Sequence, residues 1–179
     1  MGTFVFKIVL VGDYGVGKST SIHRFVEDKF KASYVPTLGV QISKKNLAIN
    51  EHSVELLIWD LAGQDRYLMI RQRFYTGTQG ILMLYDITRK SSLDHINRWY
   101  KEVTKFTGPI PIVLIGNKID LEDKREVFED DVNGVLRENN IDFKYKIETS
   151  AKDGFKTNEA FQFLVTYLIE QSKPTLSTF

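Results

Sequence analysis

The sequence predicts an α/β fold built on a parallel β-sheet. Short apolar runs alternate with longer amphipathic segments along the chain, as expected where strands and helices take turns. Five runs have the length and composition of strands, namely residues 4–11, 54–61, 80–87, 111–118 and 143–150. The third and fourth runs are nearly all apolar, which is typical of strands covered on both faces.

The first elements follow one another closely. The run FVFKIVLV leads into the segment GDYGVGKST and then into the amphipathic stretch SIHRFVEDKF. Residues 40–49 mix polar and apolar side chains and end at Asn50 and Glu51. This pattern predicts an outer strand that turns back into residues 53–60.

Two helices are predicted later in the chain because apolar residues recur there at spacings of three and four. Ser91 or Ser92 can cap the first helix, whose apolar stripe consists of Leu93, Ile96, Trp99 or Tyr100, Val103 and Phe106. The stripe of the second helix consists of Phe161, Leu164, Val165, Leu168 and Ile169. Both stripes are expected in the core. Residues 172–179 are expected to be a flexible tail after one domain of residues 1–171.

Composition narrows the classes of protein. A chain of 179 residues, 42% of them hydrophobic, has room for one domain with a substantial core. Its 24 basic and 23 acidic residues are scattered, so nothing indicates a nucleic-acid partner. These residues include no cysteine, which excludes disulfides and acceptors for prenyl or palmitoyl groups among them. No apolar run is long enough to cross a bilayer, so a cytoplasmic protein is expected.

The segment GDYGVGKS, residues 12–19, fits the pattern G-x-x-x-x-G-K-[ST] between a predicted strand and a predicted helix. Gly15 and Gly17 allow a tight turn whose N–H groups point inward at the start of the helix, where an anion is favoured. Lys18 would reach the β- and γ-phosphates of a nucleotide, and the Ser19 hydroxyl would bind Mg²⁺. The predicted phosphate-binding residues are Gly15, Val16, Gly17, Lys18, Ser19 and Thr20. An ordinary glycine-rich turn is the alternative, and the motif alone does not say which nucleotide binds.

A second phosphate-side motif, WDLAGQ, ends the predicted strand 54–61. Asp60 is predicted to hold Mg²⁺ through water, from the opposite side of the site. The N–H of Gly63 can meet a γ-phosphate oxygen, and Gln64 can orient an attacking water. A simple strand-ending turn is the alternative, and the pairing with Lys18 and Ser19 argues against it.

Two further strand ends predict a guanine site. In NKID, residues 117–120, the Asp120 carboxylate can accept hydrogen bonds from the N1–H and exocyclic amine of guanine, which adenine does not offer. In TSAK, residues 149–152, the N–H of Ala151 can donate to guanine O6. The predicted base-binding residues are Asn117, Lys118, Asp120, Ser150, Ala151 and Lys152.

Five segments resemble, in order and spacing, the five motifs of the small Ras-superfamily GTPases: GDYGVGKS, YVPTLGV, WDLAGQDRY, NKID and ETSAK. The resemblance covers residues 4 to about 171. The resemblance implies a P-loop NTPase fold, with a six-stranded, mostly parallel sheet flanked by helices on both faces and the nucleotide at the carboxyl ends of the strands. The chain is most similar to the Rab branch. It departs from that branch at Ile42, where Rab proteins usually have phenylalanine, and in having no cysteine for a lipid anchor.

The resemblance also assigns residues that composition and spacing do not. It implies that Thr37 binds Mg²⁺ and the γ-phosphate, that Tyr34 closes over the phosphates, and that Phe30 packs against guanine. Residues 31–41 and 62–75 become two switch segments that meet an effector, an exchange factor and a GTPase-activating protein. A monomer is expected, associating with membranes peripherally through partners or a missing C-terminal tail.

The sequence therefore predicts a switch that binds GTP or GDP with Mg²⁺ and hydrolyses GTP to GDP and phosphate. One alternative is a GTP-gated interaction module with negligible hydrolysis. A P-loop ATPase or small-molecule kinase is another, but it leaves Asp120 and residues 149–152 unexplained. Tyr14 takes a loop position that is typically glycine in the Ras branch. The hypothesis is that its ring caps the phosphate site against an incoming arginine finger, and the alternative is an exposed ring with no catalytic effect.

Overall fold

A six-stranded sheet forms the centre of the computed structural model, which describes residues 2–29 and 37–172. Its strands are β1 (Thr3–Val11), β2 (Val40–Ile49), β3 (His52–Leu61), β4 (Gly80–Asp86), β5 (Ile112–Asn117) and β6 (Tyr145–Thr149). They lie in the order β2-β3-β1-β4-β5-β6, and every neighbouring pair is parallel except β2 with β3. The predicted fold class is confirmed, as is the outer strand at residues 40–49.

The register of the sheet brings several motifs to one edge. Asp60 lies opposite Leu10 near the end of β1. Asn117 pairs with Asp86 on one side and with Thr149 on the other. Because the carboxyl ends of parallel strands meet at the same edge, the loops after β1, β3, β5 and β6 lie next to one another there.

Helices cover both faces of the sheet. They are α1 (Lys18–Glu27), α2 (Leu68–Gln72), α3 (Lys90–Asp94), α4 (Ile96–Thr107), α5 (Glu129–Glu138) and α6 (Thr157–Ser172), with 3₁₀ turns at Asp65–Tyr67 and Ile119–Lys124. Helices α1 and α6 enclose one core layer, and α3, α4 and α5 enclose the other. Strand β1 feeds both layers, since Ile8 and Leu10 point into the first and Val9 and Val11 into the second. Strands β4 and β5 are buried throughout, as predicted.

Two details of the helix predictions are wrong. Neither Ser91 nor Ser92 caps its helix, because α3 already begins at Lys90. The Ser92 hydroxyl instead accepts a hydrogen bond from the Asp86 N–H at 2.9 Å and donates to the Arg89 carbonyl at 2.7 Å. Phe106 is exposed rather than in the core, because it lies on the last turn of α4.

The second helical stripe is confirmed, since all five of its residues are buried in α6. This helix runs through Ser172, the first residue of the expected tail, and residues 173–179 lie outside the described part of the chain. Among the described residues, no helix has the length and hydrophobicity that a bilayer crossing needs.

Candidate active site

The loop between β1 and α1 packs tightly against its neighbours. Gly17 has a φ of 102°, which favours glycine, and a Cβ at this residue would lie 2.2 Å from Asn117 Nδ2. The segment after β3 comes equally close, because a Cβ at Gly63 would lie 2.6 Å from the carbonyl oxygen of Gly12. Both glycines are therefore required for loops from different strands to meet.

Lys18 begins α1 and is buried at the base of this loop. Its ammonium donates to the carbonyl oxygens of Gly12 at 2.8 Å and Asp13 at 2.9 Å. Burial lowers the pKa of Lys18 to about 8, although the carboxylates of Asp60 and Asp13 act in the opposite direction. A buried cation held mainly by carbonyl oxygens is stabilised by an incoming anion, which is what a phosphate supplies.

Three side-chain oxygens that could bind a metal ion lie together beside Lys18. Asp60 Oδ2 accepts hydrogen bonds from the Ser19 hydroxyl and, at 3.1 Å, from the Thr37 hydroxyl. The two hydroxyl oxygens are 2.9 Å apart. Burial raises the pKa of Asp60, opposed first by the hydrogen bond from Ser19.

The remaining oxygen of Asp60, Oδ1, is buried and has no hydrogen-bond partner within residues 2–29 and 37–172. A buried carboxylate is costly unless a cation or a donor compensates it. One carboxylate and two hydroxyls are the hard oxygen donors that Mg²⁺ prefers in phosphate sites. The cluster therefore fits Mg²⁺.

Gln64 lies next to the phosphate loop at the start of the 3₁₀ turn Asp65–Tyr67. It lines an open groove together with Asp13, Tyr14 and Arg89. The Tyr14 ring is 42% exposed, and this residue also lines the small cavity around Lys18 and Ser19. Tyr14 therefore stands at the rim of the predicted phosphate site.

Asn117 connects the phosphate loop to the loops after β5 and β6. Its Nδ2 donates to the carbonyl oxygen of Val16 at 2.9 Å. Its Oδ1 accepts from the Thr149 hydroxyl and from the Ala151 N–H, both at 3.1 Å. One buried side chain thus fixes the distance between loops that are about a hundred residues apart in sequence.

The other predicted base-binding residues lie around Asn117. Asp120 Oδ1 accepts from the Ser150 hydroxyl at 2.8 Å, and Lys152 Nζ lies 3.6 Å from Asp120 Oδ2. Lys118 forms an ion pair of 2.6 Å with Asp86. The Ala151 N–H, predicted to donate to guanine, already donates to Asn117, so a base would have to share it.

The structure brings most of the predicted site residues to one edge of the sheet. Phe30 and Tyr34 lie outside the described residues. Sequence reasoning missed a group of partners behind the phosphate loop, made up of Asp13, Arg71, Trp99 and Glu102. Asp13 stands inside the glycine-rich motif, but neither its spacing nor that of Arg71 indicates a partner on a helix far along the chain.

Comparison with known proteins identifies the family. Residues 7–170 match the model described as Ras family. The chain belongs to the Ras family. It is 41% identical over 164 residues to the GTP-binding protein ypt3 of Schizosaccharomyces pombe, covering 91% of this chain and 75% of that protein. It is 40% identical to the Ras-related protein Rab-1 of Theileria annulata over 160 residues, which cover 88% of this chain and 71% of the relative.

A mammalian relative gives the same result. The Ras-related protein Rab-13 of Mesocricetus auratus is 37% identical over 169 residues, covering 94% of this chain and 82% of the relative. The resemblance to the Rab branch is thereby confirmed. This Ras-family protein is a Rab-like small GTPase, which binds guanine nucleotide, hydrolyses GTP and works with regulators or effectors as a molecular switch.

Proposed function

We propose that the loops after β1, β3, β5 and β6 form one pocket, in which this protein binds GTP with Mg²⁺ and hydrolyses it to GDP and phosphate. The observation that carries the proposal is the set of three hydrogen bonds of Asn117. They tie the loop that would hold phosphates to the loops that would hold the base. A single nucleotide spanning both ends accounts for that arrangement.

At the phosphate end, the loop N–H groups and the positive end of α1 would surround the phosphates. The N–H donors are those of Gly15, Val16, Gly17, Lys18, Ser19 and Thr20. The Lys18 ammonium would move from its two carbonyl acceptors onto phosphate oxygens and so neutralise charge. Tyr34, in the first switch segment, would cover the phosphates.

Ser19, Thr37 and Asp60 would hold Mg²⁺, because their oxygens already lie in mutual contact. When bound, Mg²⁺ would offset the negative charge that develops on the transferred phosphoryl group. Because Asp60 Oδ1 is buried and has no hydrogen-bond partner among the described residues, it favours a cation close by. The two hydroxyls would orient that carboxylate toward the metal.

Gln64 would hold the attacking water, and the Gly63 N–H would donate to a γ-phosphate oxygen. The close approach of Gly63 to the phosphate loop supports this role. No carboxylate is assigned as a general base, since catalysis of phosphoryl transfer rests mainly on positioning and charge stabilisation.

At the base end, Asp120 would accept two hydrogen bonds from guanine and Ala151 would donate to its O6. Ser150 and Lys152 hold the Asp120 carboxylate in place, and the stem of Lys118 would lie along the base, opposite Phe30. An adenine would not supply the two donors that guanine offers to this carboxylate, at a cost of about 2–5 kcal/mol. This is enough for selective binding of guanine nucleotides.

The switch segments, residues 31–41 and 62–75, would contact the effector, the exchange factor and the GTPase-activating protein. Their described part exposes apolar side chains at Leu38 (74% exposed) and Met69 (80%), and Ile42 on β2 is also exposed. We propose a monomer that works in the cytoplasm and associates with membranes peripherally through such partners.

The test is identification of the nucleotide that copurifies with the protein, followed by single-turnover hydrolysis with and without Mg²⁺. Bound guanine nucleotide and Mg²⁺-dependent release of phosphate are expected. Bound adenine nucleotide would contradict the assignment of the base site. Retained GTP without turnover in Mg²⁺ would instead favour a GTP-gated interaction module.

A further inference from the structure

Helix α4 contacts the phosphate loop through one carboxylate. Asp13 Oδ1 accepts from the indole N–H of Trp99 at 2.8 Å, and Asp13 Oδ2 lies 2.8 Å from His95 Nδ1. Trp99 is 1% exposed, so its N–H has no access to bulk water as an alternative partner. The backbone carbonyl of the same Asp13 accepts from Lys18. The loop is therefore fixed to α4 at the residue that also holds the proposed phosphate-binding lysine.

The same face of α4 holds the segment that follows Gln64. The Arg71 guanidinium is fully buried and forms a bidentate ion pair with Glu102, in which Nε donates to Oε1 at 2.7 Å and Nη2 donates to Oε2 at 2.9 Å. The third guanidinium nitrogen, Nη1, donates to the carbonyl oxygen of Gln64 at 2.9 Å. The Tyr75 hydroxyl also donates to Glu102, at 2.7 Å. The backbone at Gln64 is thus bonded to a side chain that is itself fixed to α4.

The two attachments meet at one ring. The guanidinium carbon of Arg71 lies 4.4 Å from the centroid of the Trp99 ring, within the range of a cation–π contact. A continuous path of contacts therefore runs from Asp13, which is part-buried, through the buried side chains of Trp99 and Arg71 to the carbonyl of Gln64. We infer that Trp99 and Arg71 are positioning residues, which set the distance between Gln64 and the phosphate loop for GTP hydrolysis.

The inference rests on the proposed function, since it assumes that Gln64 orients the attacking water. Its physical basis is rigidity. A three-armed, fully buried guanidinium leaves the Gln64 backbone few alternative positions, whereas a shift of about 1 Å in a reacting group can cost on the order of a hundredfold in rate. Neither positioning residue would touch the nucleotide, so their effect would fall on turnover more than on binding.

Two mild substitutions test the inference without leaving a buried charge unpaired. Trp99→Phe keeps the aromatic face toward Arg71 but removes the hydrogen bond to Asp13. Arg71→Lys keeps the cation but cannot reach Glu102 and the Gln64 carbonyl together. Each is expected to slow single-turnover hydrolysis about tenfold while the dissociation constants for GDP and GTP change less than about threefold. Lys101→Ala, on the exposed side of α4, is the matched control and should hydrolyse GTP at the wild-type rate.

Gln64→Ala separates the inference from the proposed function. If Trp99→Phe and Arg71→Lys act through Gln64, adding either to Gln64→Ala should slow hydrolysis no further. Wild-type rates in Trp99→Phe and Arg71→Lys beside a slow Gln64→Ala would overturn the inference alone. Equal loss of nucleotide affinity and rate in both variants would show a merely structural role and overturn it as well. A Gln64→Ala variant as fast as the wild type would refute the catalytic role of Gln64 and, with it, the inference.

Discussion

Replacing Arg71 by methionine would leave the Glu102 carboxylate buried without its counter-ion. The two side chains are 0% and 7% exposed, and both oxygens of Glu102 bond to the guanidinium. Breaking such a pair from one side costs about 3–5 kcal/mol, because the remaining buried charge has no counter-ion and keeps only the hydrogen bond from the Tyr75 hydroxyl. For a domain of this size, that loss corresponds to a fall in the melting temperature of roughly 6–20 °C. Urea unfolding followed by circular dichroism measures it directly.

A second substitution separates the charge from the packing. Arg71→Met combined with Glu102→Met removes both charges and keeps similar volumes, so it should recover most of the lost stability. The exposed pair Lys44–Glu55 gives the matched control, and Lys44→Met there should cost less than about 1 kcal/mol. A loss below 1 kcal/mol in Arg71→Met, or a double variant as unstable as the single one, would refute the reasoning.

Three further predictions concern the nucleotide. Lys18→Ala should weaken GTP and GDP binding by about 2–5 kcal/mol, or about 30-fold to several thousand-fold, because a buried charge partner of the phosphates is lost; titration with a fluorescent GDP analogue measures it, and unchanged affinity would exclude Lys18 from the site. Asp120→Ala should reduce the preference for GTP over ATP by a similar factor, measured by competition, and an unchanged preference would place base recognition elsewhere. Tyr14→Gly should speed hydrolysis stimulated by a Ras-type activating protein, and unchanged intrinsic and stimulated rates would eliminate the capping hypothesis.

The fold was predictable because its signals are local. Apolar runs such as 80–87 and 111–118 are strands by composition alone, and both are buried in the sheet. The mixture of polar and apolar residues in segment 40–49 is also a local signal, and it predicted the outer strand. Helix ends were less predictable. The Ser92 hydroxyl does not cap a helix but accepts a hydrogen bond from the Asp86 N–H, which is a tertiary contact.

The candidate site was predictable where a motif fixes residues along the chain, as for Lys18, Asp60 and Asp120. The contacts behind it were not, because they depend on how helices lie against loops. Arg71 and Glu102 are separated by 31 residues, and no periodicity relates them. The hydrogen bond that the Ala151 N–H donates to Asn117 likewise depends on the register between β5 and β6, which the sequence does not show.

A crystal structure of the protein with Mg²⁺ and a non-hydrolysable GTP analogue tests the central claim most directly. The account predicts one bound molecule, with Lys18 at its phosphates, Ser19, Thr37 and Asp60 around the metal, and Asp120 at the edge of the guanine. A structure in which Lys18 and Asp120 face separate cavities, too far apart for a common ligand, would contradict it.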